Sequence, residues 1–299
     1  MFRRQKPAPS ESIVTRRVRE LEIITARLIR AGFAGEYHAA FHGRGIEFAQ
    51  VREYQPGDDI RTIDWNVTAR SGVPHVKEFV EERDLTVMLV LDVSRSMSFG
   101  SVDKRKSDLA AELVAVLAFA AVQNRDRVGL LTFGEQIHSF LPPRRGRVHV
   151  QSLVRRAIEA ERPQSGGTAL DGVVRFLERV LIKRSVVIFV SDFLDFAFDR
   201  QLERLNQRHD VIAMTITDPR EEHFPTTRAL VSLTDGETGQ RVTIDLARND
   251  VRRRAEVRSR RASELLRKSG IDSVMLSTAV PYDRALMRFF EQRIARRRR

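Results

Sequence analysis

Asp92, Ser94 and Ser96 stand at alternate positions in MLVLDVSRSMS, just where an apolar run stops. Side chains two apart in an extended chain point the same way, so one carboxylate and two hydroxyls can share a direction. Asp192 ends a second apolar run, in VIFVSDF, and Thr168 lies in the loop SGGTALDG. Two carboxylates and three alcohols suit a hard cation that keeps several waters, Mg²⁺ or Mn²⁺ before Ca²⁺, which asks for more carboxylates. Neutral hydroxyls leave such a cation under-neutralised, so it attracts an acidic side chain from another molecule. The chemistry expected is adhesion, with no catalytic residue. Taken alone, an Asp-x-Ser-x-Ser match arises by chance in about one chain in fifteen of this length, and Asp and Ser also cap helices and close turns. The weight comes from its place after an apolar run, joined to Gly166-Gly167-Thr168 and Ser191-Asp192.

These residues need strands to bring them together, and the chain supplies the pattern. From Asp84 onward short apolar runs (LTVMLVLD, DRVGLLTFG, SVVIFVSD, DVIAMTIT) alternate with helical stretches such as KSDLAAELVAVLAFAAVQ and ALDGVVRFLERVL. Buried runs separated by helices are the signature of a mostly parallel sheet covered on both faces. The expected fold class is α/β, doubly wound, and ligands of such sheets bind outside the carboxyl ends of the strands. Residues 84–299 are assigned to this domain, with a hairpin insertion near 229–246 in LVSLTDGETGQRVTIDL. Residues 1–83 are assigned to a leading amphipathic helix and a small β-rich module.

In the module, Gln55-Pro56-Gly57-Asp58 reads as a turn, with Asp58 or Asp59 capping a short helix that carries Arg61, Asp64 and Trp65. Two readings compete there: a surface that contacts a partner through Arg61, Asp64 and Trp65, or a capped turn whose Trp anchors a small core.

The 299 residues suffice for one large domain or two small ones, and no segment holds the roughly twenty apolar residues that a membrane-spanning helix needs. MFRRQKPAPSES opens with basic residues, but Pro and Ser follow where a signal peptide has its apolar region. With no cysteine, the chain has no disulfides, thiolate-bound zinc or cysteine nucleophile. The cytoplasm is the expected location. The formal charge is +12, and much of the excess lies in VRRRAEVRSRRASELLRK and the final ARRRR. Such clusters can hold phosphates, an acidic partner or the inner face of an anionic membrane peripherally. Nucleic acid is the poorer match: no aromatic residues interleave the basic run, and on a helix its arginines spread around the cylinder.

The order Asp-x-Ser-x-Ser, Thr loop, later Asp resembles the von Willebrand factor A domain and its metal-ion-dependent adhesion site (MIDAS), over about Asp84 to Ser277. By that resemblance Asp92, Ser94, Ser96, Thr168 and Asp192 are its five positions, although Phe193 follows where better-known members have Gly. REYQPGDDIRTIDWNVTARSG, followed by KEFVEERD, is similar to the bacterial family catalogued as domain of unknown function fifty-eight. That resemblance implies an adaptor or co-chaperone working with a MoxR-type AAA+ ATPase on a client protein. The chain contains no G-x-x-x-x-G-K-[ST] loop, so nucleotide hydrolysis would belong to the partner.

An enzymatic alternative is a Mg²⁺-dependent phosphohydrolase of the haloacid-dehalogenase type, but it wants a second Asp where Ser94 stands and a catalytic Lys between the strands. A serine hydrolase wants G-x-S-x-G in place of D-V-S-R-S. His138, His149 and His209 read as isolated structural or exposed residues.

Overall fold

Val87, Leu89 and Leu91 enter one buried apolar cluster, whereas Met88 and Val90 enter another, so the run TVMLVLD is covered on both faces. A strand buried on both sides must be apolar throughout, which is why this stretch shows no alternation. The computed structural model describes residues 13–41, 46–81, 85–160, 170–194, 199–222, 230–234, 241–245 and 264–297.

The chain opens with α1 (Ile13–Leu28), a π-helical turn at Ile29–Phe33 and α2 (Ala34–Phe41). Next come β1 (Ile46–Glu53), α3 (Trp65–Ser71) and β2 (His75–Glu81). The main run follows: β3 (Thr86–Asp92), α4 (Lys106–Gln123), β4 (Arg127–Phe133), β5 (Ile137–Arg144), α5 (Arg147–Glu159), α6 (Leu170–Val180), β6 (Val186–Ser191), α7 (Asp199–Arg208), β7 (Asp210–Thr217) and α8 (Pro219–Glu222). The described remainder holds β8 (Leu230–Thr234), β9 (Arg241–Asp245), the helical stretch α9 (264–268), β10 (Asp272–Ser277) and α10 (Asp283–Arg297).

Six strands form one sheet in the order β10-β7-β6-β3-β4-β5. Every neighbouring pair is parallel except β4 with β5. After β3 the chain builds outward through β4 and β5 on one side, and β6, β7 and β10 extend the other. The order therefore reverses between β3 and β6, the place where a doubly wound sheet offers its crevice. This is the α/β architecture that the alternating runs predict.

Helix α4 is apolar nearly all round and is buried from Lys106 to Ala121 almost without interruption, the property of a helix enclosed by structure. It lies between the sheet and a second layer made of α1, α5 and α2. Val18 and Leu21 of α1 share the cluster of Val87 and Leu89. Although it precedes the small module in sequence, the leading helix thus packs with the sheet. The other face is covered by α6 and α7 through Val173, Val174, Leu177, Leu202 and Leu205.

The small module pairs β1 with β2 antiparallel, with an irregularity between Phe48 and Gln50. β8 and β9 also pair antiparallel, as expected of LVSLTDGETGQRVTIDL; its turn, at 235–240, lies outside the described residues. Among the described residues no helix is long and apolar enough to cross a membrane.

Candidate metal centre

Strand β3 ends at Asp92, yet its ladder runs one bond further, because the Val93 amide donates to the Phe133 carbonyl of β4 at 2.8 Å. Beyond that point the chain leaves the sheet and closes a 3-10 turn, Arg95–Ser98, with the Met97 amide donating to the Ser94 carbonyl at 3.1 Å. The extended path assumed for alternate residues therefore stops at Ser94. The common direction survives for another reason: the turn folds Ser96 back, and the Oγ atoms of Ser94 and Ser96 come within 3.0 Å of each other.

Asp92 is held on both oxygens. Its Oδ1 accepts from the Ser94 amide at 2.8 Å and its Oδ2 from the Ser191 hydroxyl, at the end of β6, at 2.6 Å. The residue is 2 % exposed. Burial, then the neighbouring Asp192 charge, push its carboxyl up to about 6, against the opposing hydrogen bonds from Ser191 and Ser94.

Asp192 follows β6 and is also buried. Its Oδ1 accepts a 3.3 Å bond from the Leu194 amide, and its Oδ2 accepts a 2.7 Å bond from the ammonium of Lys106. Phe193 adopts φ +49°, a left-handed conformation that ordinarily favours Gly, and its amide donates to the Ser191 hydroxyl at 3.0 Å. The bend is made here by a residue with a β-carbon, and the Phe193 ring shares a buried cluster with Met88, Phe133 and Leu170.

Of the residues expected to form the site, Asp92, Ser94, Ser96 and Asp192 meet at the reversal of strand order. Thr168, with Gly166 and Gly167, lies outside the described residues. The donor set fits a small hard cation: neighbouring ligands of an octahedral Mg²⁺ at about 2.1 Å are about 3 Å apart, the separation of the two serine hydroxyls. Among the described residues no group of three or more His, Cys, Asp or Glu side chains is arranged to hold a metal. A cation here would rest on hydroxyls and two carboxylates.

Three charged residues were not anticipated. Lys106, the first residue of α4, is fully buried and donates to Asp192 and, at 2.6 Å, to Oε1 of Glu221 in α8. Burial alone would lower the pKa of its ammonium, but Asp192 and Glu221 together raise it above the ordinary lysine value. Asp218, just past β7, accepts from the Ser101 amide at 2.9 Å, the Arg220 amide at 3.0 Å, the Thr278 hydroxyl at 2.8 Å and the Ser101 hydroxyl. It pins the loop after Ser96 to the ends of β7 and β10. Although burial opposes it, these bonds hold its carboxyl below the usual range. The one sequence signal for Lys106 is a lysine opening a helix whose body, from Leu109 on, is almost entirely apolar.

In the module, Asp59 caps the turn Ile60–Thr62 by accepting from the Arg61 amide at 3.0 Å. Asp64 caps α3, accepting from the amides of Asn66 at 3.0 Å and Val67 at 3.3 Å. Asp58 is paired with Arg52 at 2.7 Å. Arg61, Asp64 and Trp65 thus lie on a turn, a cap and the first residue of α3, and not on one short helix. Trp65 is 67 % exposed and anchors no core.

Residues 50–265 match the family described as "Protein of unknown function DUF58". The chain belongs to this family. Its relatives include uncharacterized proteins of Mycobacterium bovis and Mycobacterium tuberculosis, each 31% identical over 281 residues that cover 92% of this chain and 88% of theirs. Among solved structures it is similar to an aerotolerance-related membrane protein from Bacteroides fragilis (14% identity, TM-score 0.41, 71% of this chain and 99% of that one). It is also similar to the SpRpn10 VWA domain, with 13% identity, a TM-score of 0.38 and coverage of 70% and 94%. The mostly parallel, doubly wound sheet of this DUF58 chain is the fold class that the von Willebrand factor A resemblance implied.

Proposed function

We propose that this DUF58 chain is a metal-dependent interaction protein. Asp92, Ser94, Ser96 and Asp192, with Thr168 as the fifth position, would hold Mg²⁺ or Mn²⁺, and an acidic side chain of a partner would bind there. When bound, the cation supplies an open coordination position for a carboxylate oxygen. The rest is the work of the chain: β3 and β6 set the two carboxylates side by side, Ser191 and the Ser94 amide fix Asp92, and the 3-10 turn delivers the two hydroxyls. The observation that carries the reading is the 3.0 Å approach of the Ser94 and Ser96 hydroxyls beside a buried carboxylate.

The partner of this reading is a MoxR-type AAA+ ATPase together with a client protein, in the cytoplasm. The family resemblance supports that part, as does the lack of a phosphate-binding loop in this chain. No catalytic role is assigned to it.

Calorimetric titration of the full chain with Mg²⁺ and Mn²⁺, beside Asp92→Asn, tests the site. Saturable binding that the substitution abolishes is expected. Equal binding by both proteins would place any metal elsewhere and sink the adhesive mechanism. The loaded protein should then retain an ATPase of that type, and chelation should release it.

A further inference from the structure

Lys106 has no exposed surface, and its ammonium lies between two carboxylates, 2.7 Å from Asp192 and 2.6 Å from Glu221. A lysine is rarely buried so fully, and it stays charged there only because anions surround it. Asp192 is one of the two carboxylates available to a metal at the strand ends, so this side chain already meets the need that a metal would meet. The second anion, Glu221, belongs to α8, whose base is fixed by Asp218 through Ser101 and Thr278. Lys106 is fixed at its own base, as its amide donates to the Phe99 carbonyl at 2.9 Å. The ammonium thus touches both carboxylates at once, and losing one would still leave it the other.

We propose that Lys106 is the resident counter-ion of the site, competing with a divalent cation for Asp192, and that Glu221 receives the ammonium when the divalent cation takes its place. Both positive charges want the same carboxylate, and in a buried setting two cations side by side repel strongly. An ammonium confined to Asp192 would exclude the metal; one with a second anion within reach can yield. Glu221 therefore sets how readily the site loads. Lys106 and Glu221 are positioning residues of the metal site, and the inference rests on the metal reading proposed above.

The two substitutions Lys106→Met and Glu221→Gln separate this role from a structural one, because they move metal affinity in opposite directions. Mn²⁺ titration of the full chain by calorimetry should show binding tightened at least ten-fold by Lys106→Met and weakened several-fold by Glu221→Gln. Thermal denaturation should show Lys106→Met destabilised without metal and rescued by Mn²⁺ more than the wild type is. Unchanged affinity in both variants, with the wild type binding and Asp92→Asn not, would overturn the Lys106 inference and leave the metal site standing. Should Lys106→Met fail to fold, unchanged affinity in Glu221→Gln overturns the inference by itself. Binding by Lys106→Met but not by the wild type supports the inference in its strongest form, with the ammonium winning outright. No binding by any variant removes both readings.

Discussion

The Ser191 hydroxyl donates a 2.6 Å hydrogen bond to Oδ2 of Asp92, joining the ends of β6 and β3 across the point where strand order reverses. The Ser191 Oγ in turn accepts from the Phe193 amide at 3.0 Å, so one serine sets both the orientation of Asp92 and the bend that carries Asp192. Groups that orient metal ligands typically matter by ten- to a hundred-fold in affinity. Ser191→Ala should keep the fold and weaken Mn²⁺ binding by about ten-fold. Titration of the variant checks this, and unchanged affinity would show that Asp92 is held well enough by the Ser94 amide alone.

The buried Asp92 carboxyl also predicts how stability depends on pH without added metal. Burial and the Asp192 charge raise its folded-state pKa to about 6 from the ordinary aspartate value of 3.8. The folded chain thus binds this proton more tightly than the unfolded chain. The contribution is fully present below the unfolded value and is lost as pH rises through about 6. Asp92→Asn removes that loss, so the variant should be the more stable protein at neutral pH, by at most about 3 kcal/mol, while losing metal binding. Denaturant unfolding of both proteins in chelator from pH 4 to 8 is the measurement. Parallel pH profiles would show that the Asp92 charge is compensated in the fold.

The strands and helices were legible because their chemistry is local. Runs such as DVIAMTIT become β7 at Asp210–Thr217 and KSDLAAELVAVLAFAAVQ becomes α4 at Lys106–Gln123. Asp92 and Asp192 were legible because each ends an apolar run, and a doubly wound sheet brings such ends together. Lys106, Glu221 and Asp218 were not, since their roles depend on side-chain and loop partners 60 to 117 residues away. A sequence pattern carries no distance of that kind. The direction of Ser96 was anticipated for the wrong reason: its hydroxyl is set by a turn and not by the alternation of a strand.

Phe193 carries a β-carbon and a buried ring at a left-handed backbone position. A left-handed residue with a β-carbon costs about 1 to 2 kcal/mol, and Gly would remove that strain. The Phe193 ring, however, is 2 % exposed and lies in the cluster beneath β6, and removing a buried Phe side chain costs about 3 to 5 kcal/mol. The second effect wins. Phe193→Gly should therefore destabilise the chain by about 1 to 4 kcal/mol while leaving the position of Asp192, and hence Mn²⁺ affinity, nearly unchanged. A gain in stability would mean that the bend is more strained than its φ of +49° implies.

Asp64 and Trp65 are neighbours with opposite expectations. The Asp64 side chain accepts from two amides at the start of α3 and lies 3.5 Å from Lys77 on β2. Asp64→Ala should lower stability, because a helix start loses its cap and the tie to the strand goes with it. Trp65, at the start of α3, is 67 % exposed, and Ile60, in the preceding turn, is 66 % exposed. Trp65→Ala should leave stability within about 0.5 kcal/mol of wild type. If the module is a partner-facing surface, retention of the ATPase partner should fall in Trp65→Ala while Mn²⁺ affinity at the strand ends stays the same. Thermal melts, metal titration and partner retention on the two variants separate these roles. A large loss of stability in Trp65→Ala, or equal partner retention in that variant and the wild type, would return this tryptophan to a purely structural place.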